Sequence, residues 1–192
     1  MRTIKYLLLF LVLFSSAFYV SAYEAGRKQT YLDIDYVFKL YGQTRRYNMH
    51  IQESKDGVRI DWTIFSYQKW LKGSYFISPK GLSQGTGLNF KQPVDGMQEK
   101  LKDNETFGLI SIQALKSLKE KGLFIYNNTT YKFQEKQKLI VEDNEFEALY
   151  VIADVDNTKM WIWDNQKLPL ILKIEENPLE INFYIEKFSV KK

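Results

Sequence analysis

The sequence predicts a mainly β protein built on a strongly curved antiparallel sheet, with one helix near residues 112–121. Apolar and polar residues alternate with a period of two over much of the chain, as they do in half-buried strands. Polar turns separate these stretches at intervals of roughly 8 to 12 residues, which favours a meandering sheet over βαβ units. We find neither an internal repeat nor a linker, so residues 23–192 are interpreted as one domain.

The first predicted strand spans Tyr31–Leu40, where every second residue is apolar. A hairpin follows it, because the alternation from Tyr47 to Ile51 leads into turn residues at 54–57 and then resumes. The returning strand carries Trp62 on its apolar face. Both strands of the hairpin are therefore expected to bury one face and to expose the other.

Residues 73–108 hold six of the ten glycines, which predicts the longest irregular connection and a candidate mobile flap. A short strand is expected at Thr106–Ile110. Ser111 is suited to cap the following helix, and Gly122 is suited to end it. Within residues 23–192, this is the one helix that the pattern predicts.

Beyond the helix the pattern is almost wholly that of strands. The predicted strands are Leu123–Tyr126, Thr130–Phe133, Lys138–Val141, Glu147–Ala153, Met160–Trp163, Leu168–Ile174 and Ile181–Phe188. In one of them Trp161 and Trp163 lie on one face while Met160 and Ile162 lie on the other. Because both faces carry apolar side chains, this strand is expected to be covered on both sides.

Residues 1–22 are predicted to be a signal peptide, with a basic start, the apolar run Tyr6–Phe14 and small residues up to Ala22. The alternative is an uncleaved anchor, but the unbroken apolar run is shorter than the roughly 20 residues that span a bilayer. Cleavage would shorten the chain from 192 to 170 residues and lower its formal charge from +4 to +2. We therefore expect an exported protein, periplasmic or extracellular, without a stable membrane span.

Composition excludes several chemistries. The chain has no cysteine, which removes disulfides, thiolate catalysis and cysteine-ligated metal. Its lysines are interleaved with acidic residues, so a nucleic-acid footprint is not expected. Its single histidine cannot build the usual zinc site of several nitrogen or sulfur ligands. We expect no cofactor, no bound metal and no catalytic residue.

Three residues nevertheless remain candidates for acid–base chemistry. His50 lies on the polar face of its strand, while Asp33 and Asp35 share one strand face about 7 Å apart, a separation compatible with a carboxylate pair. No G-x-S-x-G pattern supplies a nucleophile. Asp154 and Asp156 do not match a calcium-binding loop, and a polar turn explains them equally well.

Aromatic residues make up 16% of the chain, and most occupy inward strand positions. Core packing is one explanation. The other is a concave apolar face that is open to a hydrophobic ligand. On that second interpretation, the candidate ligand-binding residues are Tyr36, Phe38, Trp62, Trp161 and Trp163.

The chain resembles known proteins in two ways. The strings Asp103–Phe107 and Tyr126–Tyr131 resemble a group of uncharacterised secreted bacterial proteins. The run Met160–Trp163, followed by Leu168–Leu172 and Pro178, is similar in layout to periplasmic lipoprotein-carrier proteins of the LolA-like kind. That resemblance implies a half-barrel whose concave side is crossed by a helix or loop and, in the carriers, receives acyl chains. No carrier-specific motif is found, and fold analogy alone does not establish lipoprotein transport.

Two main functions follow as expectations. The first is a non-enzymatic cell-envelope protein that binds a lipid, lipoprotein or other apolar ligand in its concave face. The alternative is an envelope structural or protein-interaction module that has a filled core, an envelope protein as its partner and no small ligand. A hydrolase that uses His50 or the Asp33 and Asp35 pair ranks third, because the motif evidence is negative.

Overall fold

The computed structural model describes residues 31–89, 91 and 93–191, and the structural statements below concern those residues. The predicted signal peptide at residues 1–22 lies outside them. In the described part of the chain, no helix is long and apolar enough to cross a membrane.

Strands dominate the described chain, and two helices interrupt them. In chain order the elements are β1 (Tyr31–Leu40), β2 (Gln43–Ser54), β3 (Gly57–Ser66), β4 (Lys69–Ile77), α1 (Pro79–Gln84), β5 (Gly87–Leu88), β6 (Gln98–Lys100), β7 (Glu105–Thr106), α2 (Ile112–Lys121), β8 (Leu123–Tyr126), β9 (Thr129–Val141), β10 (Asn144–Ala153), β11 (Lys159–Trp163), β12 (Ile171–Glu175) and β13 (Ile181–Lys191).

Eleven strands form one sheet in the order β6, β4, β3, β2, β1, β13, β12, β11, β10, β9 and β8, while β5 and β7 form a small parallel pair. The predicted mainly β class is confirmed. The prediction of an antiparallel sheet is wrong at one edge, because β6 runs parallel to β4. The sheet is neither closed nor strongly curled, which differs from the strong curvature that the sequence predicted, and the half-barrel is not confirmed.

The first hairpin confirms the pattern of alternation. Across β1, β2 and β3 the register places Ile34 opposite Met49, and Met49 opposite Trp62. All three side chains are buried on one face, which we call the covered face. Their polar neighbours point to the opposite, outer face.

The glycine-rich stretch 73–108 is more regular than its composition predicts, because it contains the end of β4, both short parallel strands, β6 and α1. Helix α1 begins at Pro79, and the hydroxyl of Ser78 accepts a hydrogen bond from the Gly81 amide. Leu82 and Leu88 are buried in the main core. The segment that was expected to be a mobile flap therefore packs, for the most part, against the sheet and covers it.

Helix α2 spans Ile112–Lys121, as the sequence predicts. Ser111 accepts a hydrogen bond from the Ala114 amide, and Gly122 ends the helix at a φ of 72°, a conformation that glycine adopts without steric cost. Leu115 and Leu118 are buried by packing toward the sheet. The apolar residues along one side of α2 therefore favour the helix and also hold it against the core.

Two strand predictions need correction. The expected strand at Thr106–Ile110 is reduced to β7 and an isolated bridge between Leu109 and Leu170. The two expected strands at 130–133 and 138–141 are one strand of 13 residues, β9. Most of the intervening residues are exposed, so no buried face imposes an apolar alternation there.

We predict that several core tyrosines ionise late. Burial raises the pKa of Tyr131 from 10.0 to about 12, and burial raises the pKa of Tyr36 and Tyr75 as well. A raised phenol pKa leaves stability intact below the unfolded value and removes it as the pH rises through the folded value. The free energy of unfolding should therefore fall as the pH rises above about 10.

Ultraviolet absorbance of the phenolate, recorded with circular dichroism, checks this expectation. Folded protein should show an early and a late tyrosine titration, and Tyr131→Phe should remove part of the late one. Ionisation of every tyrosine in one step near pH 10, with circular dichroism unchanged, would contradict the burial argument.

Candidate functional site

Aromatic rings form a continuous cluster on the covered face, with Phe38 at its centre. The Phe38 ring centroid lies 4.9 Å from that of Phe183 and 5.3 Å from that of Tyr47. Tyr36 lies 5.5 Å from Phe183, and Tyr47 lies 6.1 Å from Trp62, both edge to face. Such pairs add about 0.5–1.5 kcal/mol beyond the area they bury. We call these five residues the aromatic cluster.

A cavity of about 180 Å³ opens beside the aromatic cluster, where β1 turns into β2. Its walls are mostly apolar, and we call it the hairpin cavity. The lining residues are Phe38, Leu40, Tyr41, Gln43, Arg45, Tyr47, Met49, Lys91, Pro93, Phe107 and Ile181. Because a water molecule takes up about 30 Å³ of liquid, the space suits roughly six water-sized groups. A short apolar chain fits that volume.

A second, smaller void lies deeper under the covered face. It measures about 20 Å³ and shares Phe38, Met49 and Phe107 with the hairpin cavity. That volume admits about one water molecule. Tyr36 also lines this void, and its hydroxyl donates to the Ile171 carbonyl at 3.5 Å. The aromatic cluster is therefore core at its inner end and cavity wall at its outer end.

Cations lie at the mouth of the hairpin cavity. Arg45 donates to the side-chain oxygen of Gln43 at 3.1 Å, and no carboxylate among the described residues forms an ion pair with it. Lys91 is engaged, since its ammonium lies 2.6 Å from a Glu99 carboxylate oxygen. Within the described chain, Arg45 is thus the cation at this mouth that remains available to an anion.

Hydroxyl groups accompany the guanidinium. Burial raises the pKa of Tyr47, and the nearby Arg45 opposes that rise. The Tyr75 hydroxyl donates to the Lys91 carbonyl at 3.1 Å, which ties Lys91 to the sheet. A guanidinium beside a neutral phenol is an arrangement that suits a carboxylate or a similar acidic group.

Trp62 is part of the aromatic cluster but does not line the hairpin cavity. Its indole packs against Gly73, its partner on β4. The indole nitrogen is buried, and it has no hydrogen-bond partner in the described chain. Trp62 is therefore placed as a core residue behind the cavity wall.

Trp161 and Trp163 lie away from the hairpin cavity. Trp161 stacks on Tyr150 at 4.7 Å, and the Lys173 ammonium lies 4.5 Å from its ring centroid. Trp163 packs edge to face against Phe146 at 5.4 Å. The structure therefore brings together Tyr36, Phe38 and Trp62 but not the two tryptophans of β11.

Sequence reasoning missed several residues of the cavity. Met49 and Ile181 occur in the predicted strands, so the pattern placed them in the sheet without marking them as part of the cavity wall. Phe107 comes from the segment that follows β7 and stacks on Tyr75 at 4.3 Å. Arg45 has no distinguishing signal in the sequence, because its role depends on what the fold brings beside it.

The candidates for acid–base chemistry lie on the outer face. His50 Nδ1 is 2.9 Å from an Asp33 carboxylate oxygen, and the His50 ring lies 4.1 Å from that of Tyr31. Asp35 accepts a hydrogen bond from Asn48 at 2.9 Å. The two aspartates thus bind different partners, and no described serine or threonine is hydrogen-bonded to His50.

The polar residues near Asp154 form a turn between β10 and β11. An Asp156 carboxylate oxygen accepts a hydrogen bond from the Thr158 amide at 2.9 Å. Asp154 lies 3.9 Å from the Lys132 ammonium. Across the described residues, no group of three or more histidine, aspartate or glutamate side chains is placed to hold a metal ion.

The sequence was compared with models of known protein families and with curated proteins, and neither comparison found a match.

We predict that Gly73→Ala lowers the free energy of unfolding by about 1–3 kcal/mol, the usual cost of overpacking a core. The added Cβ would come within 2.5 Å of both the Trp62 ring and the Met97 carbonyl oxygen. Urea unfolding followed by tryptophan fluorescence measures the change.

Lys72→Ala is the matched control, because Lys72 is the neighbouring residue of β4 and is exposed. Its effect should stay within about 0.5 kcal/mol. Equal stability of the two variants would contradict the close contact between Trp62 and β4.

Proposed function

We propose that this chain is a non-enzymatic cell-envelope protein that holds the apolar part of a ligand or lipidated partner in the hairpin cavity. The observation that carries the proposal is the cavity itself, an apolar space with the Arg45 guanidinium at its mouth. An apolar group placed there leaves water, and an acidic head would meet Arg45. A small amphipathic anion, such as a medium-chain fatty acid, matches both features.

The size of the hairpin cavity limits the affinity that this proposal implies. Burial of one methylene is worth about 0.8 kcal/mol, so a chain of about six contributes roughly 5 kcal/mol. A charge-assisted hydrogen bond adds about 1.5–3 kcal/mol. Lost translational and rotational freedom offsets much of this gain. We expect dissociation constants in roughly the millimolar range.

The resemblance to LolA-like carriers supports the same proposal. In those proteins acyl chains enter the side of the sheet that a helix or loop crosses. Here α2 and the 107–110 segment contribute Leu109, Ile110 and Leu115 to the same buried core as the covered face. We therefore propose that a chain enters only at the hairpin end, with Phe38 as its first wall.

We predict that Leu40→Trp blocks the binding of octanoate. Leu40 lines the hairpin cavity, so a larger side chain there would occupy the space of the ligand. Isothermal titration of the purified protein with octanoate measures binding. Arg45→Gln should weaken the binding of octanoate. It should leave the binding of octanol, the neutral analogue, little changed.

Leu32→Trp is the matched control for Leu40→Trp. Leu32 lies on the same strand and packs against the core, but it does not line the hairpin cavity. Octanoate binding that survives Leu40→Trp but is lost in Leu32→Trp would overturn the assignment of the site.

One observation favours the second candidate, an envelope module with a filled core. The deeper void holds only about 20 Å³, so much of the covered face has no room for a ligand. On this alternative, native mass spectrometry finds the protein ligand-free, and titration with octanoate gives no heat. Measurable octanoate binding at the hairpin cavity would exclude it.

Export is part of the proposal, and it generates a prediction of its own. When the full chain is expressed in a bacterial host, the secreted or periplasmic product should begin at Tyr23, because signal peptidases cleave after small residues such as Ala22. Intact mass and N-terminal sequencing measure this. Ala22→Phe should block cleavage, and Ala25→Phe serves as the control. Recovery of the uncut chain from the membrane fraction would contradict it.

A further inference from the structure

Exposed aromatic side chains concentrate at one edge of the sheet. The β1–β2 and β3–β4 hairpins turn at the same edge, because β1 to β4 are neighbours and antiparallel. Tyr41 and Tyr67 occupy the two turns and are 69% and 85% exposed. Phe65 and Trp70 flank the second turn and are 60% and 68% exposed. We call these four residues the hairpin edge.

Turn chemistry does not account for these rings. Tyr41 and Tyr67 have φ values of 49° and 50°, a conformation that bulky residues rarely adopt and that glycine or asparagine fills more readily. Phe65 and Trp70 face each other across the hairpin, with centroids 5.4 Å apart. Single exposed apolar residues need no explanation, but a group of large rings on adjacent hairpins indicates a binding surface.

Basic residues predominate in the two hairpins that form the hairpin edge. Residues 39–46 and 63–72 contain five basic residues and no acidic residue. The basic residues are Lys39, Arg45, Arg46, Lys69 and Lys72. Arg46 pairs with Glu186 and Lys69 pairs with Asp95, so these two acidic residues offset part of the positive charge. Lys39, Arg45 and Lys72 form no ion pair with a described carboxylate, so the two hairpins keep an excess of positive charge.

We propose that the hairpin edge docks on the surface of a bilayer that contains anionic phospholipid. Tyrosine and tryptophan favour the level of the lipid headgroups, because their rings are apolar at one end and polar at the other. Basic residues beside them are attracted to anionic headgroups. The combination of exposed rings and surrounding cations fits a peripheral contact of this chemistry, and it requires no membrane-spanning segment.

The hairpin cavity lies at the same end of the sheet as the proposed membrane contact. Tyr41 belongs to the hairpin edge and also lines the cavity. The connection between β12 and β13 lies next to Tyr41, because the Glu180 carbonyl accepts a hydrogen bond from the Tyr41 amide. Leu179 in this connection is exposed as well. Docking through this edge would bring the cavity mouth next to the lipid surface, and an acyl chain could then pass between them with little exposure to water.

Co-sedimentation of the purified protein with vesicles tests the proposal. The vesicles combine phosphatidylglycerol with phosphatidylcholine, and vesicles of phosphatidylcholine alone provide the comparison. Replacement of Tyr67 and Trp70 together by serine should weaken binding to the mixed vesicles roughly tenfold or more, because each ring loses its apolar contact. Ile140→Ser is the matched control, since Ile140 is exposed on β9 near the opposite edge and should have no effect.

A second pair of variants tests the charge. Replacement of Lys39 and Lys72 together by glutamine should weaken binding to the mixed vesicles by about fivefold for each lysine that reaches the surface. Lys55 and Lys191, which are exposed near the opposite edge, provide the control pair. Their replacement by glutamine should leave binding unchanged.

Three outcomes would overturn the proposal. The first is no binding to either kind of vesicle, and the second is equal binding by the Tyr67 and Trp70 variant. The third is a wild-type dimer in sedimentation velocity that this variant abolishes, because a second copy of the chain would then cover the edge. Leu40→Trp should still bind vesicles, so failure of the ligand proposal and failure of the docking proposal give different results.

Discussion

The pairing of β1 with β13 is the constraint on which the rest of the structure depends. It joins residues near both ends of the described chain, Tyr31 opposite Lys191, and it is the sheet contact that links the β2–β4 hairpins to the β8–β12 meander. The register shifts by one residue next to Asp35 and Tyr36, and such a bulge increases the local twist of the strands. Without this pair, the two halves would each expose an apolar edge.

The same pairing creates the candidate site. It sets Phe38 opposite Phe183 and leaves the β1–β2 turn at the rim of the covered face. The covering segments are fixed elsewhere: the Gly108 carbonyl accepts from the Ile171 amide at 2.9 Å, and the Tyr126 hydroxyl accepts from the Ser111 amide at 2.6 Å. These bonds hold the cover over the middle of the sheet, so the hairpin end stays incompletely filled.

Local patterns predicted the parts of the fold that local physics decides. Alternation located β1 to β3, and the capping residues Ser111 and Gly122 located α2 to the residue. Strand β4 was missed because Gly73 and neighbouring glycines resemble a loop, whereas Gly73 makes room for the Trp62 ring. Phe38 was predicted as a site residue, but the parallel strand β6 and the approach of Arg45 to the cavity depend on contacts distant in sequence, which no local pattern encodes.

Aromatic side chains are buried on the covered face but exposed at the hairpin edge. Tyr36 and Trp62 are almost fully buried, where their rings contribute packing to the core. Tyr67 and Trp70 are mostly exposed, so their rings contribute nothing to the core and lower the solubility of the surface. Tyr41 lies at the junction, because it is exposed and yet lines the hairpin cavity. A surface that binds another apolar phase resolves this conflict, since the rings then lose water only when the partner is present.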